Sequence, residues 1–215
     1  MKVHGHRGTR GRLPENTVAA FEYAISAAAD AIEIDLQVTR EGRVVLKHDP
    51  ASEGEESRLP TLDEALALAD RGAFEFNLEI KSYTTGPPPE ELATRVLERV
   101  RAHGLERRVI VQSFDFRVLK AARVMAPEIR ASVLTERDQR PFAEIAADAG
   151  GTQMVSPHLS LVTPAKVEAA HAAGLDVIAW TANSPAEWEA LAAAGVDAII
   201  TDDPAGLGAW RKLEI

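Results

Sequence analysis

Three short stretches near the start of the chain hold most of the residues able to do chemistry. The run Val3-His4-Gly5-His6-Arg7-Gly8 ends an apolar strand in a histidine, an arginine and a glycine. Ile32-Glu33-Ile34-Asp35-Leu36 is a strand with two carboxylates. Val44-Val45-Leu46-Lys47-His48-Asp49 is a strand that ends in another histidine. Histidines, acids and an arginine at strand ends, in a chain without cysteine, suggest acid–base work on a phosphate beside a metal.

Side chains two apart on a strand share a face. His4 and His6 therefore point the same way, as do Glu33 and Asp35, and Glu79 and Lys81. Two like charges at ~4 Å repel by about 4 kcal/mol at an effective dielectric of 20. A trio of Glu33, Asp35 and Glu79 at one mouth would relieve that repulsion with a cation. All-oxygen ligation favours Mg²⁺ or Ca²⁺ over zinc. The plainer alternative is a set of solvated strand-end acids paired with Lys81 and Arg7.

Histidine titrates near neutrality, so His6 and His48 can supply one base and one acid. His4 lies deeper in its strand and reads as a hydrogen-bonded core residue. His103 and His171 fall in helical stretches and read as surface residues. Arg7 and Lys81 are either surface charges or anchors for an anionic oxygen. Arg10 and Arg12 add positive charge to the same glycine-bearing loop. Pro14-Glu15-Asn16-Thr17 opens a helix, with Asn16 or Thr17 as cap. Trp180 ends a strand, where it walls a pocket or fills the core.

The elements that must position these residues follow from the apolar pattern. Short apolar strands alternate with amphipathic, alanine-rich helices, which argues for parallel strands and crossover helices. Strands are expected at Val3–His6, Ala31–Leu36, Glu75–Ile80, Val109–Gln112, Ile129–Leu134, Thr152–Ser156, Asp176–Trp180 and Ala198–Thr201. That number closes a (β/α)8 barrel, whose active sites sit at the C-terminal strand ends. His6, Asp35 and Lys81 fall at such ends. Capping boxes open helices at Thr61-Leu62-Asp63-Glu64 and Ser184-Pro185-Ala186-Glu187. Thr163-Pro164 and Asp203-Pro204 place a cap before proline. Gly72, Gly104, Gly150, Gly174 and Gly195 close helices. Val44–His48 is surplus to the eight. It follows its neighbour after a four-residue turn, too short for a crossover, and is expected as a hairpin strand near the barrel mouth. Only the Thr84–Pro89 loop has the composition of a linker.

The 215 residues are 46% hydrophobic, enough for one barrel domain spanning 1–215. The absence of cysteine excludes disulfides, thiolate metal sites and thiol nucleophiles. A net charge of −9, spread along the chain, is a poor footprint for nucleic acid. The first residues lack the apolar core of a signal peptide, and no apolar run is long enough to cross a bilayer. A cytoplasmic protein with a small-molecule substrate is the expectation; the oligomeric state is open.

Taken together, these pieces resemble the glycerophosphodiester phosphodiesterase family. The resemblance rests on His6-Arg7-Gly8, Pro14-Glu15-Asn16-Thr17, Glu33-Ile34-Asp35, the Thr39-Arg40-Glu41-Gly42 turn, His48-Asp49 and Leu78-Glu79-Ile80-Lys81. It continues through Gln112-Ser113-Phe114-Asp115, Ala179-Trp180-Thr181-Ala182-Asn183, Gly195-Val196-Asp197 and Thr201-Asp202-Asp203-Pro204. It implies a TIM barrel that uses a divalent metal to hydrolyse glycerophosphodiesters to an alcohol and glycerol 3-phosphate. It implies His6 and His48 as the acid–base pair, and Glu33, Asp35 and Glu79 as metal ligands. Arg7 and Lys81 would contact phosphate, with Glu15 behind them and Trp180 lining the pocket.

Many family members carry an insertion after the second histidine, whereas only Pro50–Leu59 stand here. An open mouth, weak discrimination among head groups and a mobile acidic segment facing anionic ones are the corresponding expectations. Two rivals stay open. One is a phospholipase D-like lyase on lysophospholipid or sphingolipid that ends at a cyclic phosphate. The other is a non-catalytic barrel that binds phosphodiesters. A sugar-phosphate isomerase on the same fold fits the paired histidine strands poorly.

Overall fold

Alternation along each strand sets the architecture of the computed structural model, which describes residues 1–52, 54–84 and 86–213. The strands are β1 (Lys2–Gly5), β2 (Ala31–Val38), β3 (Val44–Leu46), β4 (Glu75–Ile80), β5 (Val109–Ser113), β6 (Arg130–Thr135), β7 (Met154–Pro157), β8 (Asp176–Ala179) and β9 (Ala198–Thr201). All but β3 run parallel in the ring β1-β9-β8-β7-β6-β5-β4-β2, and pairing of β1 with β2 closes it. The result is the expected eight-stranded barrel with one extra strand outside the ring. Outward-facing residues such as Ile32, Ile34, Phe76, Leu78, Val111 and Val177 are buried beneath the surrounding helices. Inward-facing Ile110, Met154, Ile178, Ala198 and Ile200 form a separate small cluster inside the ring. Many other inward positions are polar and buried, among them His4, Glu33, Asn77, Gln112, Ser132 and Ser156.

The covering helices are α1 (Val18–Ser26), α2 (Leu62–Leu66), α3 (Pro89–Ala102), α4 (Phe116–Met125), α5 (Phe142–Asp148), α6 (Pro164–Ala172), α7 (Pro185–Ala194) and α8 (Pro204–Leu213). The two capping boxes form as read from sequence, with Thr61 and Glu64, and Ser184 and Glu187, each satisfying the other's backbone. Thr163 caps α6, and Asp203 Oδ1 accepts from Gly206 N at 3.0 Å at the start of α8. Thr17, not Asn16, caps α1. Asn16 is thereby free for a different partner.

Strand ends differ from the sequence reading by one or two residues. His6 lies one residue past β1 and Trp180 one past β8, yet both backbones stay tied to neighbours. His6 N donates to Thr201 O at 2.8 Å and Trp180 N to Pro157 O at 3.1 Å. The hairpin has a physical cause in the lengths of its neighbours. β1 pairs with β2 only at Ala31 and Ile32. The rest of that edge of β2 would be left unpaired above Gly5, and β3 fills it antiparallel, with Leu36 opposite Leu46 and Val38 opposite Val44.

The segment after β3 is folded on itself. Glu55 is ion-paired with Lys47 and accepts from Ser52 N at 3.1 Å. These hydrogen bonds push its carboxyl down to about 2. Glu53 of the same acidic stretch and Thr85 of the loop before α3 lie outside the described residues. No helix among the described residues is long and apolar enough to cross a membrane.

Candidate active site

The acidic trio forms where β2 and β4 run side by side. Asp35 is paired in register with Glu79, and Glu33 faces inward two residues below Asp35. One oxygen from each of the three carboxylates lies within 4.8 Å of the others, and all three residues are buried. Burial pushes the Glu33 carboxyl well above its usual range, and the charges of Asp35 and Glu79 add to the shift. Glu79 is pushed up to about 7, again by burial first, with Lys81 opposing and Asp35 adding. Asp35 behaves oppositely. Burial works against its charge, but Lys81 and Arg7 outweigh it and hold the carboxyl below its usual range. Two basic side chains therefore neutralise only part of the cluster. Three convergent carboxylates, two of them with pKa values raised chiefly by burial, fit a hard divalent cation.

Arg7 and Lys81 stand beside the trio. Arg7 Nε lies 3.0 Å from Asp35 Oδ2, and its Nη1 donates to Glu15 Oε1 at 2.9 Å. Its backbone N donates to Glu33 Oε2 at 2.9 Å. That backbone has a positive φ of 49°, and Gly8 beside it has 86°. A Cβ on Gly8 would sit 2.7 Å from the Ala20 backbone, so glycine is what lets this turn lie against α1. Lys81 Nζ is 2.8 Å from Asp35 Oδ1 and also meets Glu79. Burial works against the Lys81 ammonium, yet Glu79 and Asp35 push its pKa up to about 12.

Each histidine is held through one ring nitrogen. His6 Nδ1 is 2.6 Å from Asp202 Oδ1, and His48 Nδ1 is 2.8 Å from Asp49 Oδ1. Asp202 is fixed in turn by Asn183, whose Nδ2 donates to Oδ2 at 2.7 Å and whose Oδ1 accepts from Asp202 N at 2.8 Å. Burial opposes the Asp202 charge, but the hydrogen bond and charge of His6, together with Asn183 and Arg10, outweigh it and lower the pKa. An ionised carboxylate only accepts, so the proton sits on His6 Nδ1 and Nε2 is left for chemistry. His48 comes just after β3 and is held from beneath. Tyr83 OH donates to His48 O, and Gln37 Nε2 donates to Lys47 O at 2.9 Å.

Both histidines open on one cleft with two lobes. The smaller, about 340 Å³, is lined by His6, Arg7, Arg10, Gln112, Glu136 and Trp180. The larger, about 630 Å³, is lined by Pro50, Ile80, Tyr83, Phe114 and Phe116. His48, Glu79, Lys81 and Phe114 border both lobes. Trp180 is the pocket wall, with Nε1 donating to Ser156 O at 2.8 Å. Glu15 borders neither lobe and reaches the site only by holding Arg7 and Arg10. His4 is in the core, as read from sequence. His103 and His171 are exposed and paired with Asp63 and Asp197.

Several residues here had no role in the sequence reading. Asn16 was only a candidate cap, but its Nδ2 donates to Asp35 Oδ2 at 2.8 Å and its Oδ1 accepts from Asp35 N at 3.1 Å. Asp202 could have been found by extending the inward-facing alternation of β9 one step past its end, whereas Asn183 lies in the loop between β8 and α7 and carried no such signal. Phe114, one step past β5, continues the inward alternation of Ile110 and Gln112, whereas Tyr83 lies on a loop and carried no periodic signal. The described acidic residues Glu55 and Glu56 border neither lobe, because Glu55 is drawn back to Lys47 and Ser52. Of the acidic screen expected over the mouth, Glu55 and Glu56 therefore take no part, and Glu53 lies outside the described residues.

The model of the glycerophosphoryl diester phosphodiesterase family matches residues 6–54 and 50–206. A glycerophosphodiester phosphodiesterase from Caldanaerobacter subterraneus is 30% identical over 95% of this chain and 95% of its own length. A crystal structure from Silicibacter pomeroyi is 28% identical, with a TM-score of 0.89 over 100% of this chain and 94% of that one. An Oleispira antarctica phosphodiesterase, solved with sn-glycerol-3-phosphate, shares the fold at 23% identity and a TM-score of 0.89, over 99% of this chain and 97% of that one. With the barrel, the acid trio and the two carboxylate-held histidines already in view, these matches make the chain a member of the glycerophosphoryl diester phosphodiesterase family and a phosphoric diester hydrolase.

Proposed function

We propose that the protein hydrolyses glycerophosphodiesters to an alcohol and glycerol 3-phosphate with the help of a divalent cation, Mg²⁺ or Ca²⁺. The observation that carries this reading is the pairing of two histidines, each fixed at Nδ1 by a carboxylate, across a cleft that also holds the acid trio. Glu33, Asp35 and Glu79 would hold the cation. When bound, it supplies Lewis-acid polarisation of the phosphoryl oxygens. Arg7 and Lys81 orient the phosphate and stabilise charge developing on its oxygens. One histidine removes a proton from the nucleophile through Nε2, and the other delivers a proton to the departing alkoxide oxygen. Asp202 and Asp49 keep the two rings in the tautomer and orientation this needs. Trp180 walls the smaller lobe.

The test is a metal-supplemented assay on glycerophosphocholine and glycerophosphoethanolamine, with products followed by phosphorus NMR. Glycerol 3-phosphate with a stoichiometric amount of free alcohol is the expected result. A cyclic phosphate as end product would instead assign the lyase reaction. No turnover with either cation would overturn the enzymatic reading.

A further inference from the structure

The two lobes of the cleft differ in what they can accept. The smaller presents Arg10, Gln112 and Glu136, polar groups suited to the hydroxyls of a glycerol. The larger is walled mainly by Pro50, Ile80, Tyr83, Phe114 and Phe116. Its volume of about 630 Å³ falls in the range that encloses a whole drug-sized ligand, well beyond what a two-carbon amino alcohol needs.

Phe114 stands between the lobes and is 47% exposed, one of few large apolar side chains left open to solvent among the described residues. It is placed firmly. Its ring meets Trp180 edge-on, with centroids 5.6 Å apart. On either side of it, Ser113 Oγ donates to Ile80 O at 2.8 Å, and Asp115 accepts from the Arg117 backbone at 2.9 Å. The acids of the larger lobe are engaged already. Asp115 takes Ser82 and the Arg117 guanidinium, Asp49 takes His48, and Glu79 takes Lys81. Lys81 adds positive charge at the junction. Among the described residues every carboxylate of this lobe already has a partner, and Lys81 repels a cationic alcohol that the aromatic faces would otherwise attract, whereas an aliphatic arm meets no opposing charge.

We infer that the larger lobe receives the alcohol arm of the diester, that this arm is an aliphatic chain, and that Phe114 is the surface it packs against. The inference rests on the phosphodiesterase reading above. It is tested with glycerophosphoryl esters of ethanol, butanol and hexanol, alongside glycerophosphocholine. For the native protein, kcat/KM should climb about twofold to fourfold per methylene, the upper figure being full burial. Phe114→Ala should flatten that dependence and Phe114→Leu should keep most of it. Equal efficiency across the alkyl series, a choline ester preferred over the hexyl ester, or an equal loss in Phe114→Ala on every ester would overturn the inference and leave the phosphodiesterase reading standing. No turnover of any ester with Mg²⁺ or Ca²⁺ present would overturn both.

Discussion

At the scale of single residues, the chemistry depends on how each histidine is held. General acid–base groups contribute roughly 10²–10⁴-fold. His6→Ala and His48→Ala should each lower kcat at least about a hundredfold. The double variant should cost less than the product of the two, because groups that act as a unit are not additive. Near-native turnover of His48→Ala would remove it from the mechanism. Asp202 acts through His6, not on the substrate. In Asp202→Asn the amide can donate to Nδ1 and put the proton on the wrong nitrogen, so kcat should again fall by at least about a hundredfold. KM should change little. Near-native kcat in that variant would make Asp202 merely structural.

At the scale of elements, the second histidine hangs from a strand outside the barrel ring. β3 has only β2 as a strand partner, so other contacts must hold the residues just past its end. Gln37 does most of this, since its Nε2 donates to Lys47 O and Asp49 O and its Oε1 accepts from Ala51 N. Tyr83 adds a fourth tie through His48 O. Gln37→Ala strips these backbone groups of their partners, at a cost of about 1–3 kcal/mol. Opening of that size should be local. Amide exchange across residues 44–51 should speed up roughly tenfold to hundredfold, while exchange in β5 through β9 stays as it was. Activity should fall in parallel, because His48 loses its fixed position. Uniform acceleration over the whole barrel would show that the hairpin is not a separate unit.

At the scale of the whole molecule, buried charge links stability to cation and pH. Three buried acids face two bases, so a bound divalent cation should stabilise the fold. At a hundredfold excess over Kd the gain is about 2.7 kcal/mol. For a chain of this size that raises Tm by roughly 5–10 °C. Chelation should abolish activity, and Mg²⁺ or Ca²⁺ should restore it; full activity after exhaustive EDTA dialysis, with no metal by elemental analysis, would sink the cation. The opposite end of the barrel has its own pH response. Burial lowers His4 from 6.5 to about 4, and its Nε2 has no hydrogen-bond partner. The fold therefore disfavours the protonated ring. This contribution is fully present above pH 6.5 and is lost as pH falls toward 4, an amount on the order of 3 kcal/mol. His4→Gln should flatten the urea-unfolding free energy over that interval. An unchanged slope in the variant would assign the acid sensitivity elsewhere.

The barrel, the surplus hairpin strand and the residues that meet at its mouth are legible in the chain alone. Period-two alternation places Glu33 with Asp35 and Glu79 with Lys81 on inward faces whatever the details of packing. Parallel strands joined by crossovers then bring their C-terminal ends to one side. Only the tertiary structure decided which partners those residues find. Asp202 reaches His6 from 196 residues away because β9 lies beside β1 at the closure of the ring. Asn16 looked like a helix cap, but Thr17 takes that place and a positive φ of 55° turns Asn16 toward Asp35. The acidic character of Glu55 is legible in the chain but its withdrawal from the cleft is not, since Lys47 draws it back. Local chemistry along a strand repeats every second residue and can be read in order. Pairing between strand ends depends on ring closure, which leaves no periodic mark on the chain.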